Sequence, residues 1–231
     1  MKTDKLCIRC ENCNKRSPLF ASLTDDELKL LNDDRHSVLF HEGEVILKQG
    51  TRADYLVSIV EGFAKMYIEG IQNRNLILDF VKPWKLMGGP SGMVKEKHRY
   101  SVMAIQETLV CFIDMDNLKK VLASNSEFSA QFLIYCSRNY QAALDRLVGI
   151  SQKQMHGRVA DAMIYLSEDI YNSQTIGEEI SRQDISEYTA MSKDSAIRVL
   201  KEFERDQIVS LHGRQIEVLD SGKLHDIADK G

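Results

Sequence analysis

Arg198 is the side chain in this sequence best suited to read a base edge. Its forked guanidinium matches guanine O6 and N7. Asp194, four residues earlier, can accept from cytosine N4. Lys193, Ser195, Lys201 and Arg205 around them suit phosphate oxygens. All lie in Ser192–Arg205, where Ala196, Val199, Leu200 and Phe203 recur at helical spacing and leave the polar set on the opposite face. Ser192 is a good N-cap, because its hydroxyl can accept a free backbone N–H of the first turn.

The surrounding elements must aim that helix. Ser181–Tyr188 reads as a short helix, Thr189-Ala190-Met191 as a turn, and Ile208–Val218 as two short strands around Gly213. The order helix, turn, helix, strand, Gly turn, strand is that of a winged helix-turn-helix, whose second helix enters the major groove. Arg182, opening the first helix, and Arg214, beside Gly213, complete the candidate DNA-binding set of Arg182, Ser192, Lys193, Asp194, Ser195, Arg198, Lys201 and Arg214. The competing reading is an ordinary solvated amphipathic helix followed by a hairpin. One local rule is broken: Ala190 occupies the turn position that usually takes Gly, and a Cβ at positive φ costs about 1 kcal/mol.

At 231 residues, with 43% hydrophobic and 28% charged, the chain suits two small domains and excludes general disorder. No apolar run reaches membrane-spanning length and the polar, cysteine-bearing start is no secretory signal, so a cytoplasmic protein is expected. The net charge is −4, and residues 151–231 hold 10 Lys+Arg against 15 Asp+Glu. Basic residues must therefore gather on one face, which favours specific binding over nonspecific coating.

Residues 35–115 alternate short apolar runs with turn signals such as Glu42-Gly43, Gln49-Gly50 and Glu61-Gly62, the pattern of an antiparallel barrel or roll. From Asp116 the pattern is helical. Leu133, Cys136, Tyr140, Ala143, Leu147 and Ile150 alternate steps of three and four, a coiled-coil seam, while Phe132, Leu144 and Val148 form a second stripe. A helix apolar on two faces needs two partners, its own domain and, most simply, the same helix of a second copy. Residues 151–172 read as a further helix, Thr175–Ile180 as a strand and 220–229 as a terminal helix. The fold class expected is α+β. It comprises a cysteine-rich arm over 1–20, an antiparallel β-roll over 21–120, a dimerisation helix over 121–152 and a winged helix-turn-helix over 153–231.

This arrangement resembles the cyclic-AMP receptor / fumarate–nitrate regulator (CRP/FNR) family of bacterial transcription factors over nearly the whole chain. The resemblance is carried by Arg182-Gln183-Asp184-Ile185, by Met191 through Leu200, by Gly213 through Leu219, and by Gly43, Gly50 and Gly62 in the roll. It implies a cyclic-nucleotide-binding-like jelly roll, a homodimer on a palindromic double-stranded operator, and RNA polymerase as partner of an activator. Lys193, Asp194 and Arg198 match positions that face base edges in the family. Members that bind cyclic AMP share Gly-Glu-Leu followed by Arg-Ser or Arg-Thr. Here Lys85-Leu86-Met87-Gly88-Gly89-Pro90-Ser91 lacks the Glu, and Arg99-Tyr100-Ser101 interposes a residue, so cyclic AMP is not the expected effector.

Cys7, Cys10 and Cys13 place three thiols within seven residues, and Cys111 ends the roll. Oxygen-sensing members of the family resemble this, holding an iron–sulfur cluster with an N-terminal cysteine group and one distant cysteine. Four thiolates satisfy a [4Fe–4S] cluster. The third cysteine follows more closely here than is usual in those sensors. Zinc, a thiol–disulfide pair and inert thiols remain open alternatives. Cys136, on the seam, reads as packing.

The expected function is a sequence-specific, dimeric DNA-binding regulator controlled by a redox, oxygen or small-molecule signal. The alternative is a ligand-binding module that acts through protein–protein contact. No phosphate-cradling Gly loop, H-E-x-x-H or nucleophile elbow supports an enzyme.

Overall fold

Residues 16–231 are described by a computed structural model. The chain divides into two compact units, one of residues up to Ile68 with Phe80–Tyr140, the other of Glu69–Asp79 with Gln141–Gly231.

Eight strands build two sheets, all in the first unit except residues 76–79 of β5: β1 His36–Phe40, β2 Val45–Leu47, β3 Tyr55–Glu61, β4 Ala64–Ile68, β5 Leu76–Val81, β6 Leu86–Met87, β7 Ser101–Ala104 and β8 Thr108–Asp114. They form two four-stranded antiparallel sheets, ordered β1-β8-β3-β6 and β2-β7-β4-β5. The two-residue period of β8 explains how the sheets pack. Val110 and Phe112 join Val57, Ile59, Val102 and Ala104 in a core between the sheets. Cys111 and Ile113 point the other way, into a second core made with helices. Those helices are α1 Asp25–Asn32, α3 Met115–Ser124 and the start of α4 Ser126–Gln152. Leu28, Leu31, Leu118, Val121, Phe128 and Phe132 bury there. A capping box opens α1: the Thr24 hydroxyl accepts from Glu27 N–H at 3.4 Å and Thr24 N–H donates to the Glu27 carboxylate at 2.8 Å.

Several boundaries differ from the sequence reading. Val102 to Ile113, which reads as one apolar run at the end of the strand-rich stretch, is two strands, split where Ile105 and Gln106 N–H donate to the Phe63 carbonyl. The helix expected over 121–152 is two helices. Asn125 separates them, its side chain accepting from Phe128 N–H at 2.9 Å as an N-cap would. Strand β6 and the short α2, Gly89–Met93, were not apparent from pattern.

The second unit contains α5 Met155–Ile164, a π-helical turn Tyr165–Tyr171, β9 Thr175–Ile176, α6 Arg182–Tyr188, α7 Lys193–Arg205, β10 Val209–His212, β11 Gln215–Val218 and α8 Ser221–Lys230. Strands β10, β11 and β9 form a three-stranded antiparallel sheet. Its core is continuous: Val159, Met163, Leu166, Ile185, Val199, Leu200, Phe203, Ile216 and Leu224 are all at most 2% exposed. The strand expected over 175–180 stops at Ile176. The helix expected over 151–172 is broken before α5 and widened into the π turn at its end.

Candidate nucleic-acid interface

Helix α6 begins with a capping box. Asp184 N–H donates to the Ser181 hydroxyl at 3.1 Å and Ser181 N–H donates to the Asp184 carboxylate at 2.9 Å. Ser181→Ala removes one half of it and is expected to lower stability by about 1 kcal/mol, read as a shifted urea midpoint at unchanged slope. The turn follows with Ala190 at φ 54°, the left-handed conformation the sequence anticipated. Met191 N–H returns to the Ser186 carbonyl at 2.9 Å, and the Thr189 hydroxyl donates to the Ile185 carbonyl at 2.8 Å.

Helix α7 is capped as expected: the Ser192 hydroxyl accepts from Ser195 N–H at 3.1 Å. Ala196, Val199, Leu200 and Phe203 are buried, so the helix is locked by one face. The other face brings Lys193, Asp194, Arg198 and Lys201 together as exposed side chains, with Ser192 exposed and Ser195 half-buried at its start. Asp194, Ile197, Arg198, Lys201, Glu202 and Arg205 line an open depression of about 390 Å³. Within it Glu202 accepts from His156 at 2.6 Å, which leaves the cations facing outward.

Arg182 is engaged within the fold. Its two terminal nitrogens donate to the Arg214 and Gly213 carbonyls at 3.0 and 3.1 Å. Burial pushes its pKa down and the Glu204 carboxylate opposes that shift. The guanidinium therefore ties the start of α6 to the β10–β11 turn, where Gly213 takes φ 63°. Arg214 stands exposed at the tip of that turn.

Of the seam residues on α4, Leu133, Tyr140, Ala143 and Leu147 are exposed and Ile150 is half-buried. Cys136 instead packs against the helix-side core of its own unit, where burial raises its thiol pKa. Of the second stripe, only Phe132 buries in that core; Leu144 and Val148 stay exposed.

Cys7, Cys10 and Cys13 lie outside the described residues. Cys111 is buried, and its sulfur accepts from the Arg35 guanidinium at 3.2 Å. Arg35 is itself held by Asn32 Oδ1 at 3.0 Å and the Ser37 hydroxyl at 3.1 Å. Phe20 and Leu23, which follow the cysteine-bearing arm, share the core that Cys111 faces. Among the described residues no three His, Cys, Asp or Glu side chains gather as a metal site.

Two tyrosine hydroxyls bond the corner Leu86–Gly89. Gly88 N–H donates to the Tyr100 hydroxyl at 2.9 Å. The Tyr135 hydroxyl accepts from Leu86 N–H at 2.9 Å and donates to the Leu86 carbonyl at 3.0 Å. A Cβ at Gly89 would stand 3.1 Å from the Phe132 ring. Arg99 points away, to Glu96 at 3.4 Å on the surface. Buried His98 lies beside Gly88, its pKa pushed down by that burial against the opposing Asp54 carboxylate.

Arg35 at Cys111, Arg182 at the wing and Arg146 on α4 were the side chains whose roles sequence patterns did not reveal. Arg146 carried one signal, a cation among Leu144, Leu147 and Val148 on an otherwise apolar stretch.

Two family models match this chain, the Cyclic nucleotide-binding domain over residues 37–125 and the Crp-like helix-turn-helix domain over residues 157–227. The Transcriptional activator protein anr of Pseudomonas aeruginosa is 24% identical over 222 residues, 93% of this chain and 90% of its own length. The cAMP-activated global transcriptional regulator CRP of Escherichia coli O157:H7 is 21% identical over 200 residues, 84% of this chain and 95% of its own. The structure of FixK2 from Bradyrhizobium japonicum superposes with a TM-score of 0.76 at 22% identity, covering 84% of this chain and 96% of that one. The structural likeness speaks to the fold; the family models place the two kinds of domain along the chain.

Proposed function

Because the chain belongs to the CRP/FNR family of transcription regulators, we propose that it acts as a homodimer that reads a palindromic operator with Lys193, Asp194 and Arg198 of α7. The observation that carries this reading is the exposed polar face of α7, aimed by a helix whose other face is wholly buried. Ser192, Ser195, Lys201 and Arg214 are assigned to phosphates, whose contacts set register. Arg182 contributes by holding the wing turn that carries Arg214.

The second copy is assigned to the exposed side of α4, where Leu133, Tyr140 and Leu147 recur every seven residues. Two-fold pairing then presents α7 to half-sites about 34–36 Å apart. A signal in the first unit acts by changing that pairing, and RNA polymerase is the partner through which operator binding becomes activation. The protein works in the cytoplasm on this reading. No helix among the described residues is long and apolar enough to cross a membrane.

The corner Leu86–Gly89 does not fit a cyclic nucleotide. Its Leu86 and Gly88 N–H groups donate to Tyr135 and Tyr100, and its sequence offers no carboxylate for a ribose. The described part of the thiol set fits an iron–sulfur cluster better. Cys111 faces the core into which the chain from the arm packs, and Arg35 supplies a charge-assisted hydrogen bond to a thiolate ligand. Cys7, Cys10, Cys13 and Cys111 are the residues that would hold a [4Fe–4S] cluster, which supplies loss in oxygen as the signal. Anaerobically purified protein is expected to contain iron and sulfide and to show a visible band that bleaches in air, with both lost in Cys111→Ser. Titration calorimetry with cyclic AMP is expected to give no binding heat. Colourless, metal-free protein that still selects an operator would remove the cluster and leave the regulator.

A further inference from the structure

We propose that Arg146 is the positioning residue of the DNA-reading element: by holding Tyr188, it fixes the turn that aims α7. The inference rests on α7 being the helix that meets DNA.

Tyr188 is the last residue of α6 and precedes the turn Thr189-Ala190-Met191. Its carbonyl is among those that a helix end leaves without an intrahelical donor. Arg146 holds this residue twice. Its Nη2 donates to the Tyr188 carbonyl, and its guanidinium lies 3.6 Å from the centre of the Tyr188 ring. The same nitrogen donates to the Ile77 carbonyl at 2.7 Å. On its other side the Tyr188 ring stacks on Tyr165, with centroids 5.1 Å apart and planes 3° from parallel. The Tyr165 hydroxyl in turn donates to the Asp79 carboxylate. All five residues belong to the second unit.

The purpose of such a grip follows from the next residue but one. Ala190 sits at φ 54° with a Cβ, a conformation that persists only where its surroundings over-determine it. The turn's own bonds run from Met191 N–H and from the Thr189 N–H and hydroxyl back to Ile185 and Ser186 of α6. The turn is therefore only as fixed as the end of α6, and a small shift there would swing α7 and its base-reading side chains. Holding Tyr188 by both carbonyl and ring removes that freedom at the turn's entrance. Burial pushes the Arg146 pKa down, while the nearby Asp79 carboxylate is among the groups that oppose the shift. An arginine starts from so high a value that it stays charged, as both contacts require.

The test is a double-mutant cycle in the full-length protein. The probe is a duplex selected from a random library by the wild-type protein, with a scrambled duplex as control. Arg146→Met is expected to weaken the selected duplex about tenfold or more, the loss of a half-buried charged hydrogen bond, and to leave the scrambled duplex and the sedimentation profile unchanged. Amide exchange at Thr189–Met191 should speed up in R146M. Glycine takes positive φ without strain, so in the Ala190→Gly background the R146M deficit should fall below about threefold. If R146M does not fold, Arg146→Lys runs the same cycle, since an ammonium keeps the ring contact but gives up the planar fork. Wild-type affinity with unchanged exchange at the turn, or equal deficits in both backgrounds, would overturn the assignment. If the wild-type protein selects no duplex, the DNA reading itself fails, and the exchange rates alone then decide whether Arg146 holds the turn.

Discussion

Arg198→Ala is expected to reduce affinity for the selected operator by roughly thirtyfold at the least. A forked arginine–guanine pair carries about 1–3 kcal/mol of discrimination, and a dimer loses it at both half-sites. Arg198 stands on the outward face of α7 and, among the described residues, its hydrogen-bonding contact is a long 3.9 Å approach to the Met155 sulfur. Truncation therefore removes little from the fold, and the thermal midpoint should hardly move. Preference among bases should relax at one position of each half-site. Lys201→Ala should behave differently, weakening all duplexes alike and lowering the salt slope by about one for each phosphate it no longer neutralises. Fluorescence anisotropy at several salt concentrations separates the two. The result also decides between functions. A module that acts through protein contact would keep its partner in Arg198→Ala, whereas a regulator loses its operator.

Leu147→Asp is expected to convert the protein to a monomer and to cost operator binding a factor of at least about one hundred. Leu147 is 61% exposed, Leu133 67% and Tyr140 66%, a row of large apolar side chains on one helix. A stripe of that kind marks an interaction site, and heptad spacing matches a second copy of the same helix. Two like carboxylates placed across such a seam repel and are desolvated. Once pairing is lost, each half-site must be bound alone, without the effective concentration that linkage supplies. Sedimentation velocity gives the state and anisotropy the affinity. A Leu147→Asp protein that remains dimeric would move the interface elsewhere on the chain.

The elements around the candidate interface were legible because local rules agreed there. Ser181 and Ser192 cap, Ala196, Val199, Leu200 and Phe203 repeat at helical spacing, and Gly213 marks the wing turn; each signal spans a few residues. The roll was legible as a class but not in detail. Strand β6 has two residues, and α2 holds Pro90 and two glycines. Neither is long enough to carry a period. Cys136, read as a seam residue, packs against the core of its own unit, because a helix face does not say which of two apolar partners it meets.

What the sequence determined by itself was the set of parts: a winged helix-turn-helix, a strand-rich roll, a helix with an unpartnered face, and the residue types that suit DNA. Only the tertiary structure decided how four cations and a pair of hydroxyls are used. Arg35 turns to a thiol, Arg99 to a surface carboxylate, Arg182 to wing carbonyls and Arg146 to a carbonyl and ring beside the turn. Tyr100 and Tyr135 close a corner from 12 and 49 residues away. The reason is physical. Periodicity and capping act over one or two turns of chain, whereas a buried donor takes whichever acceptor folding brings within about 3 Å, and that acceptor's distance along the sequence leaves no local trace.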